Sequence, residues 1–368
     1  SWTLHEWADG SHRSWPEPEE PELPEWVPEP GTFADIALND GVDVNPCPAS
    51  NCVYSGTSTV NAAFDCWTSG IFAPELGALG SYVYWGGGHQ GGIANNVFRY
   101  DLATRLWSSL GTPSNYASST LDSNGAFPDG APGAPHTFHT LGIQSSANGG
   151  GDYGSLISAT LPAVMDSGNG AMSRWWRFDF AEEEWSVFID SSGMGAGTLG
   201  SKTMVQEPDS HFWWLGGGYM SSGIYRVTQA GSITNYSGLD LNTGGDFCGG
   251  VVPGTRIMVL NGVESGEVWL FDLAQIEANE TGSNARKEIT PSGTAGSPSS
   301  SLVWNPDVGA FASIDDTSPT TVRWLTPSNP ADPWNSAWAW TAETLTAAGG
   351  ASTRSLTNQN HGRFVYVP

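Results

Sequence analysis

Three histidines stand where this chain could carry out chemistry. His89 closes the run Trp85-Gly-Gly-Gly-His89 and is followed by Gln90. His136 and His139 lie in Pro135-His-Thr-Phe-His139, at the end of a Gly/Ser/Pro-rich stretch, 111–135. Imidazole titrates near neutrality, so two on one face could act as an acid/base pair or ligate a metal. The competing reading is structural: histidines at strand ends commonly hydrogen-bond a carbonyl of the neighbouring sheet. Gln90, Tyr153 and Tyr219 are the loop side chains that could contact a ligand, and Arg174 could add a cation. No Gly-x-Ser-x-Gly elbow, P-loop, His-Glu-x-x-His or EF-hand spacing occurs, so nucleophilic, phosphate-cradling and zincin chemistry have no motif to rest on. Asn148-Gly-Gly-Gly-Asp152 opens no helix, and Asp315-Asp316 is a turn without a specific calcium spacing.

The elements that must hold these residues are short strands. An aromatic run at 82–85 ends in glycines, a second strand delivers Tyr100-Asp101, and a turn through Ala103-Thr104 leads to Leu106-Trp107. Runs like the first recur at 156–160, 212–215, 257–260, 310–314 and 364–367, at intervals of about 50 residues. Most are followed by a further strand, at 97–100, 175–178, 224–227, 268–271 and 322–325. Others follow near Trp107, Trp185, 233–236, 287–289 and 338–340. Helical periodicity shows only at 273–278 and 342–348. Six runs predict a ring of six four-stranded blades, or seven if 110–155 hides further strands. The chain stops soon after its sixth run, so 32–38 is expected to donate an outer strand that closes the ring and removes two sheet edges.

The blade Trp85-Gly-Gly-Gly-His89…Asn96-Val-Phe-Arg-Tyr100-Asp101…Trp107 resembles the kelch repeat and, more broadly, galactose-oxidase-like propellers. Trp176-Arg-Phe-Asp179…Trp185 matches the second half of such a repeat, and Leu215-Gly-Gly-Gly218 the first half of a third. The Gly-Gly-Gly-His form is also similar to uncharacterised kelch-like proteins of bacteria and phages. The resemblance implies an all-β, kelch-like propeller. In that topology second-to-third-strand loops and blade-to-blade connections share a face, which places His89 and His136 together. His139 points the other way along a regular strand, and His361 falls on the opposite rim. Some relatives are copper radical oxidases, which need a cysteine–tyrosine cross-link and a Tyr-His pair. No Tyr-His pair occurs in this sequence, so neither metal nor cofactor is expected. Others are polysaccharide lyases using His, Tyr and Arg. His89, His136, Tyr153, Arg174 and Tyr219 supply those types.

Composition narrows the partners. The 38 Asp+Glu against 13 Lys+Arg give a net charge of −25, which repels nucleic acid and anionic membranes. It also makes an anionic uronate polymer a poor substrate. No apolar run is long enough to span a bilayer, and the opening Ser1-Trp2-Thr3 shows no leader. Residues 1–31 alternate Pro and Glu and include Trp2, Trp7, Trp15 and Trp26. Such a segment is extended, and its indoles suit docking on the body or on a protein partner. The propeller domain is then 32–368. Cys47 and Cys52 are spaced for a small disulfide loop, with buried thiols or a zinc pair as the other readings. The function expected is a non-enzymatic binding or structural module, extracellular or on a cell or virion surface, with a saccharide as a ligand. The alternative is a lyase-like, polysaccharide-active enzyme using His89 and His136.

Overall fold

A computed structural model describes residues 24–40, 44, 69–86, 95–114, 121–122, 124–134, 137, 139–159, 174–190, 202–207, 211–216, 224–236, 239, 247–262, 267–295, 301–315 and 318–348. A two-residue strand, β1 (Thr32–Phe33), precedes the first sheet. That sheet comprises β2 (Ser69–Ala73), β3 (Ser81–Trp85), β4 (Val97–Asp101) and β5 (Leu106–Leu110). The second holds β6 (Leu141–Gln144), β7 (Ser155–Ser158), β8 (Arg174–Asp179) and β9 (Glu184–Asp190). The third holds β10 (Lys202–Glu207), β11 (His211–Gly216), β12 (Ile224–Thr228) and β13 (Ile233–Tyr236). The fourth holds β14 (Phe247–Val252), β15 (Ile257–Gly262), β16 (Val268–Asp272) and, after the short helix α1 (Leu273–Glu277), β17 (Arg286–Ile289). The fifth holds β18 (Val303–Asn305), β19 (Ala310–Asp315), β20 (Ser318–Pro327) and β21 (Trp338–Thr344), and β22 (Thr346–Ala347) follows. Each four-stranded sheet is an antiparallel meander in chain order, and the first strands of successive sheets lie side by side. This is a β-propeller.

Every second, third and fourth strand expected in the first five blades forms where the aromatic and β-branched runs place it. The blade count differs. Among the described residues there are five blades, neither six nor seven: 110–155 contributes only the ordinary connection and the start of blade two. The run 364–367 lies outside the described residues. Residues 32–38 do not become an outer blade strand. Only Thr32–Phe33 is extended, and it pairs in parallel with β22. Residues 342–348 form no helix: 342–344 end β21, which has β20 as a hydrogen-bonding partner from Thr321↔Thr344 to Pro327↔Trp338, and 346–347 are β22, paired with β1. Those ladders outweigh the helix preference of Ala342, Ala347 and Ala348.

The aspartate ending several third strands is a turn device. Asp101 Oδ1 accepts the amide of Thr104 at 2.9 Å, Asp179 Oδ1 that of Ala181 at 2.9 Å, and Asp272 Oδ1 caps α1 through Ala274 at 3.0 Å.

The core lies between blades. Four buried clusters span the four successive interfaces: Trp85 and Leu156 at the first, Trp175 and Trp214 at the second, Trp213 and Met258 at the third, Val259 and Phe311 at the fourth. Residue sizes match across them. Where blades two and four present Gly142 and Gly250, the next blade inserts Phe212 and Phe311. Val205 instead shares its cluster with Met258, and Ile71 with Leu156. Trp185 shows how a motif indole is used: its ring lies 4.4 Å from Trp85, and its Nε1 donates to the Asn95 carbonyl at 2.8 Å.

The segment 31–39 links the last described blade to the first. Thr346 and Ala348 donate to the carbonyls of Gly31 and Phe33, at 3.0 and 2.8 Å. Asn39 then clasps Trp107 of β5, Oδ1 accepting its amide at 2.7 Å and Nδ2 donating to its carbonyl at 3.0 Å. No helix among the described residues is long and apolar enough to cross a membrane.

Candidate functional site

Strand direction defines two faces. First-to-second and third-to-fourth turns open on a hairpin face, while second-to-third connections and those between blades open on a loop face. Between them the five described innermost strands line an axial cavity of about 730 Å³ that is partly open to solvent. Its described lining is mostly apolar, with Gly70, Gly249 and Gly250 where bulk is least. None of those lining residues is Asp, Glu, Lys or Arg. On β2 and β18 the lining side chains Ile71, Phe72, Val303 and Trp304 are half-buried, whereas Met204, Val205 and Val251 are buried. Pro74, Pro253 and Pro306 follow their inner strands at the hairpin face, where a residue without an N–H leaves no donor to satisfy. Gln206 lines the cavity but is spent on the neighbouring blade: its amide brackets Ile143, accepting from the N–H at 2.9 Å and donating to the carbonyl at 2.8 Å.

His139 is the candidate histidine that the structure describes. It sits just before β6 at the loop face, lines the cavity and is half-buried. Burial pushes its imidazole down to about 3, so it is neutral at physiological pH. Its carbonyl accepts the Met204 amide at 2.7 Å. Close by, Thr137 Oγ1 donates to the Trp85 carbonyl at 2.9 Å and accepts from the Ser69 amide at 2.7 Å. The stretch carrying His139 thus stitches three blades together through its backbone and the Thr137 hydroxyl.

His89, His136, Gln90 and Tyr219 lie outside the described residues, as do Cys47, Cys52 and Cys66. Tyr153 falls in the turn between β6 and β7, on the hairpin face and half exposed. It is therefore separated from His139 and Arg174, which stand on the loop face. Arg174 has its charge balanced by Asp122 at 3.8 Å and Asp190 at 3.7 Å. Cys248 is buried in β14, its thiol 3.7 Å from the Asn261 carbonyl. Among the described residues no group of three or more His, Cys, Asp or Glu is placed to hold a metal ion.

The strongest cluster of charges was not anticipated from the sequence. On the hairpin face, Arg256 of blade four donates Nε to Glu207 of blade three at 2.8 Å. Its Nη1 and Nη2 grip both oxygens of Glu277, just beyond β16, at 2.7 and 2.8 Å. Arg226 reaches Glu277 at 2.5 Å, and Trp213 Nε1 donates to Glu207 at 3.0 Å. The Arg256 hydrogen bonds hold the Glu277 carboxyl down at about 2, and those to Glu277 and Glu207 raise Arg256. His211 stands 3.9 Å from Glu207, with its imidazole lowered by burial and by Arg226. Two carboxylates against two guanidiniums form a neutral clamp between blades. The one sequence signal is the scarcity of cations, 13 Lys+Arg against 38 Asp+Glu, which does not say which carboxylates they meet.

The fold and cavity define a β-propeller whose axial wall, among the described residues, holds no Asp, Glu, Lys or Arg. No family model and no curated protein matches the chain. Among solved structures it is similar to a structural-genomics protein of unknown function from Bacteroides thetaiotaomicron, at 12% identity and a TM-score of 0.36. That match covers 70% of this chain and 58% of the other, less than two thirds of its length. It is also similar to a chain of a nidogen/laminin complex, at 10% identity and a TM-score of 0.37, covering 70% and 80%. Mala s 1, the major allergen of Malassezia sympodialis, matches at 13% identity and a TM-score of 0.42, covering 77% and 86%.

Proposed function

We propose that the chain is a kelch-like propeller serving as a non-enzymatic recognition module outside the cytoplasm, on a cell surface or a virion, with a saccharide bound at its loop face. The observation that carries this reading is the asymmetry of the connections. On the loop face β3 to β4, β5 to β6, β7 to β8, β9 to β10 and β13 to β14 are all joined by long segments, whereas most hairpin-face turns are short. Recognition commonly uses long loops on a rigid scaffold; Gln90 belongs to the β3-to-β4 segment, and Tyr219 to the shorter β11-to-β12 connection on the same face. Indole and phenol faces stack on sugar C–H surfaces while Asn and Gly loops offer hydrogen bonds. The described loop-face groups suited to catalysis are accounted for otherwise: His139 is held neutral, and Arg174 is paired. Residues 1–31 would dock the module on a protein partner.

A glycan array tests the ligand class, with retention of neutral glycans expected and lost on Tyr219→Ala. The competing enzymatic reading, with His89 and His136 as the acid/base pair, is tested by a glycan-degradation screen. Turnover that disappears in His89→Ala would overturn the binding-only proposal. Deleting 1–31 should abolish partner association while the propeller still folds.

A further inference from the structure

We infer that the axial cavity is a second binding site, independent of the loop face, for an uncharged and chiefly apolar small molecule. Its volume, about 730 Å³, falls within the roughly 300–1,000 Å³ of small-molecule pockets. Charge excludes both kinds of ion. With no Lys or Arg among the described lining residues, an anion has no partner, and the protein's net −25 repels it before it arrives. A cation finds no carboxylate on those walls, and the one titratable lining group, His139, is neutral. Leaving either ion unpaired in such a space is strongly unfavourable.

Polarity then separates an apolar ligand from a sugar. Gln206 is consumed by Ile143. Two buried lining residues, Ser69 and Gln229, retain side-chain oxygens with no hydrogen-bond partner in the described fold. Both oxygens are shut off from solvent, so the described walls offer too few polar contacts for a polyol whose every hydroxyl must exchange water for a partner. Ile71, Phe72, Val303 and Trp304 provide the apolar wall, half-buried on the two inner strands at the ends of the blade series. Pro74, Pro253 and Pro306 give the hairpin-face end of the cavity an edge poor in donors.

The test titrates the full chain with Nile red, a neutral apolar dye, alongside anionic anilinonaphthalene sulfonate and with cellobiose as competitor. A saturable, blue-shifted Nile red signal from a single site is expected, with weaker uptake of the anion and no displacement by cellobiose. Val303→Trp and Ile71→Trp, which fill the wall from opposite strands, should each weaken the dye about tenfold. Val187→Trp, on the exposed outer strand β9, should leave it unchanged. Absence of saturable binding overturns the inference, as does binding indifferent to both cavity variants. Should those variants fail to fold, a photoreactive alkyl diazirine on the parent chain decides: labelling within the lining segments 69–74, 139–145, 204–206, 249–253 or 301–306 supports the site, and labelling confined to residues outside them removes it. Glycan retention on the array is read separately, so loss of this site leaves the loop-face proposal standing, and the reverse also holds.

Discussion

Phe311 of the fifth blade occupies the space that a side chain on Gly250 of the fourth would need. Its Cε1 lies 2.9 Å from the position of a β-carbon there, and Phe212 stands at 2.6 Å from the same position on Gly142. Both glycines have ordinary backbone angles, so their role is room for a neighbour's ring. Gly250→Ala and Gly142→Ala should each destabilise the fold by about 1–3 kcal/mol through overpacking. Thermal unfolding measures this. Adding Phe311→Leu to Gly250→Ala should recover part of the loss, and no recovery would mean that the ring is not the obstacle.

Removing Arg256 should harm the fold more than an ordinary surface ion pair would. The substitution Arg256→Met leaves Glu207 without its guanidinium and Glu277 with Arg226 alone, and all are partly shielded from water. A loss of about 1–3 kcal/mol is expected, between values for exposed and buried pairs. A double-mutant cycle with Glu277→Gln should show coupling between the two positions. Independent effects would contradict the clamp.

Acid should destabilise the protein in two overlapping windows, an upper one from His139 and a lower one from Glu277. His139 sits at about 3 when folded against an ordinary 6.5, so the unfolded chain takes up its proton first. Stability therefore falls as pH drops from 6.5 toward 3, and His211, also lowered, acts in the same direction. Glu277, at about 2 against 4.5, contributes stability above 4.5 that is lost as pH falls toward 2. Denaturant midpoints against pH should flatten in the upper window for His139→Gln and in the lower for Glu277→Gln. A His139→Gln profile parallel to the parent's would show that this imidazole titrates normally.

Asn39 should matter out of proportion to its exposure. Asn39→Ala removes both bonds to Trp107, a loss of about 1–2 kcal/mol. Removing 1–31 keeps β1 and this clasp, while removing 1–40 takes both. Melting midpoints should therefore differ clearly between the two truncations. Equal midpoints would show that the clasp does not hold the ring.

The blades were legible because each second strand is a dense aromatic or β-branched run, such as 212–215 or 257–260, followed by a third strand ending in Tyr100-Asp101 or its equivalent. The innermost strands were the hard part. Phe247-Cys-Gly-Gly-Val-Val252 has no apolar/polar alternation, since Phe247 and Val251 pack toward the third blade and Cys248 and Val252 toward the fifth. Blade number depends on how wedges close around an axis, and local patterning in Ala310–Asp315 or any other strand does not encode that angle. Tyr153 was set among loop-face residues because its type fitted, although its place between first and second strands assigns it to the hairpin face. The Arg256 clamp stayed hidden because its members are far apart in sequence, and only blade packing brings Glu207 and Glu277 to one guanidinium.

The pairing of Thr32–Phe33 with β22 has a mechanical consequence. The two strands run parallel, and their bonds lie across the line of any tension drawn along the chain through Gly31. Such a load meets the two ladder bonds together, in shear, rather than opening them in turn as a zipper would. The amide pair at Asn39 then takes up the strain on the far side. A short ladder in that geometry works as a snap fastener: stiff against pulling along its length, and readily undone by a force that lifts β1 sideways from β22.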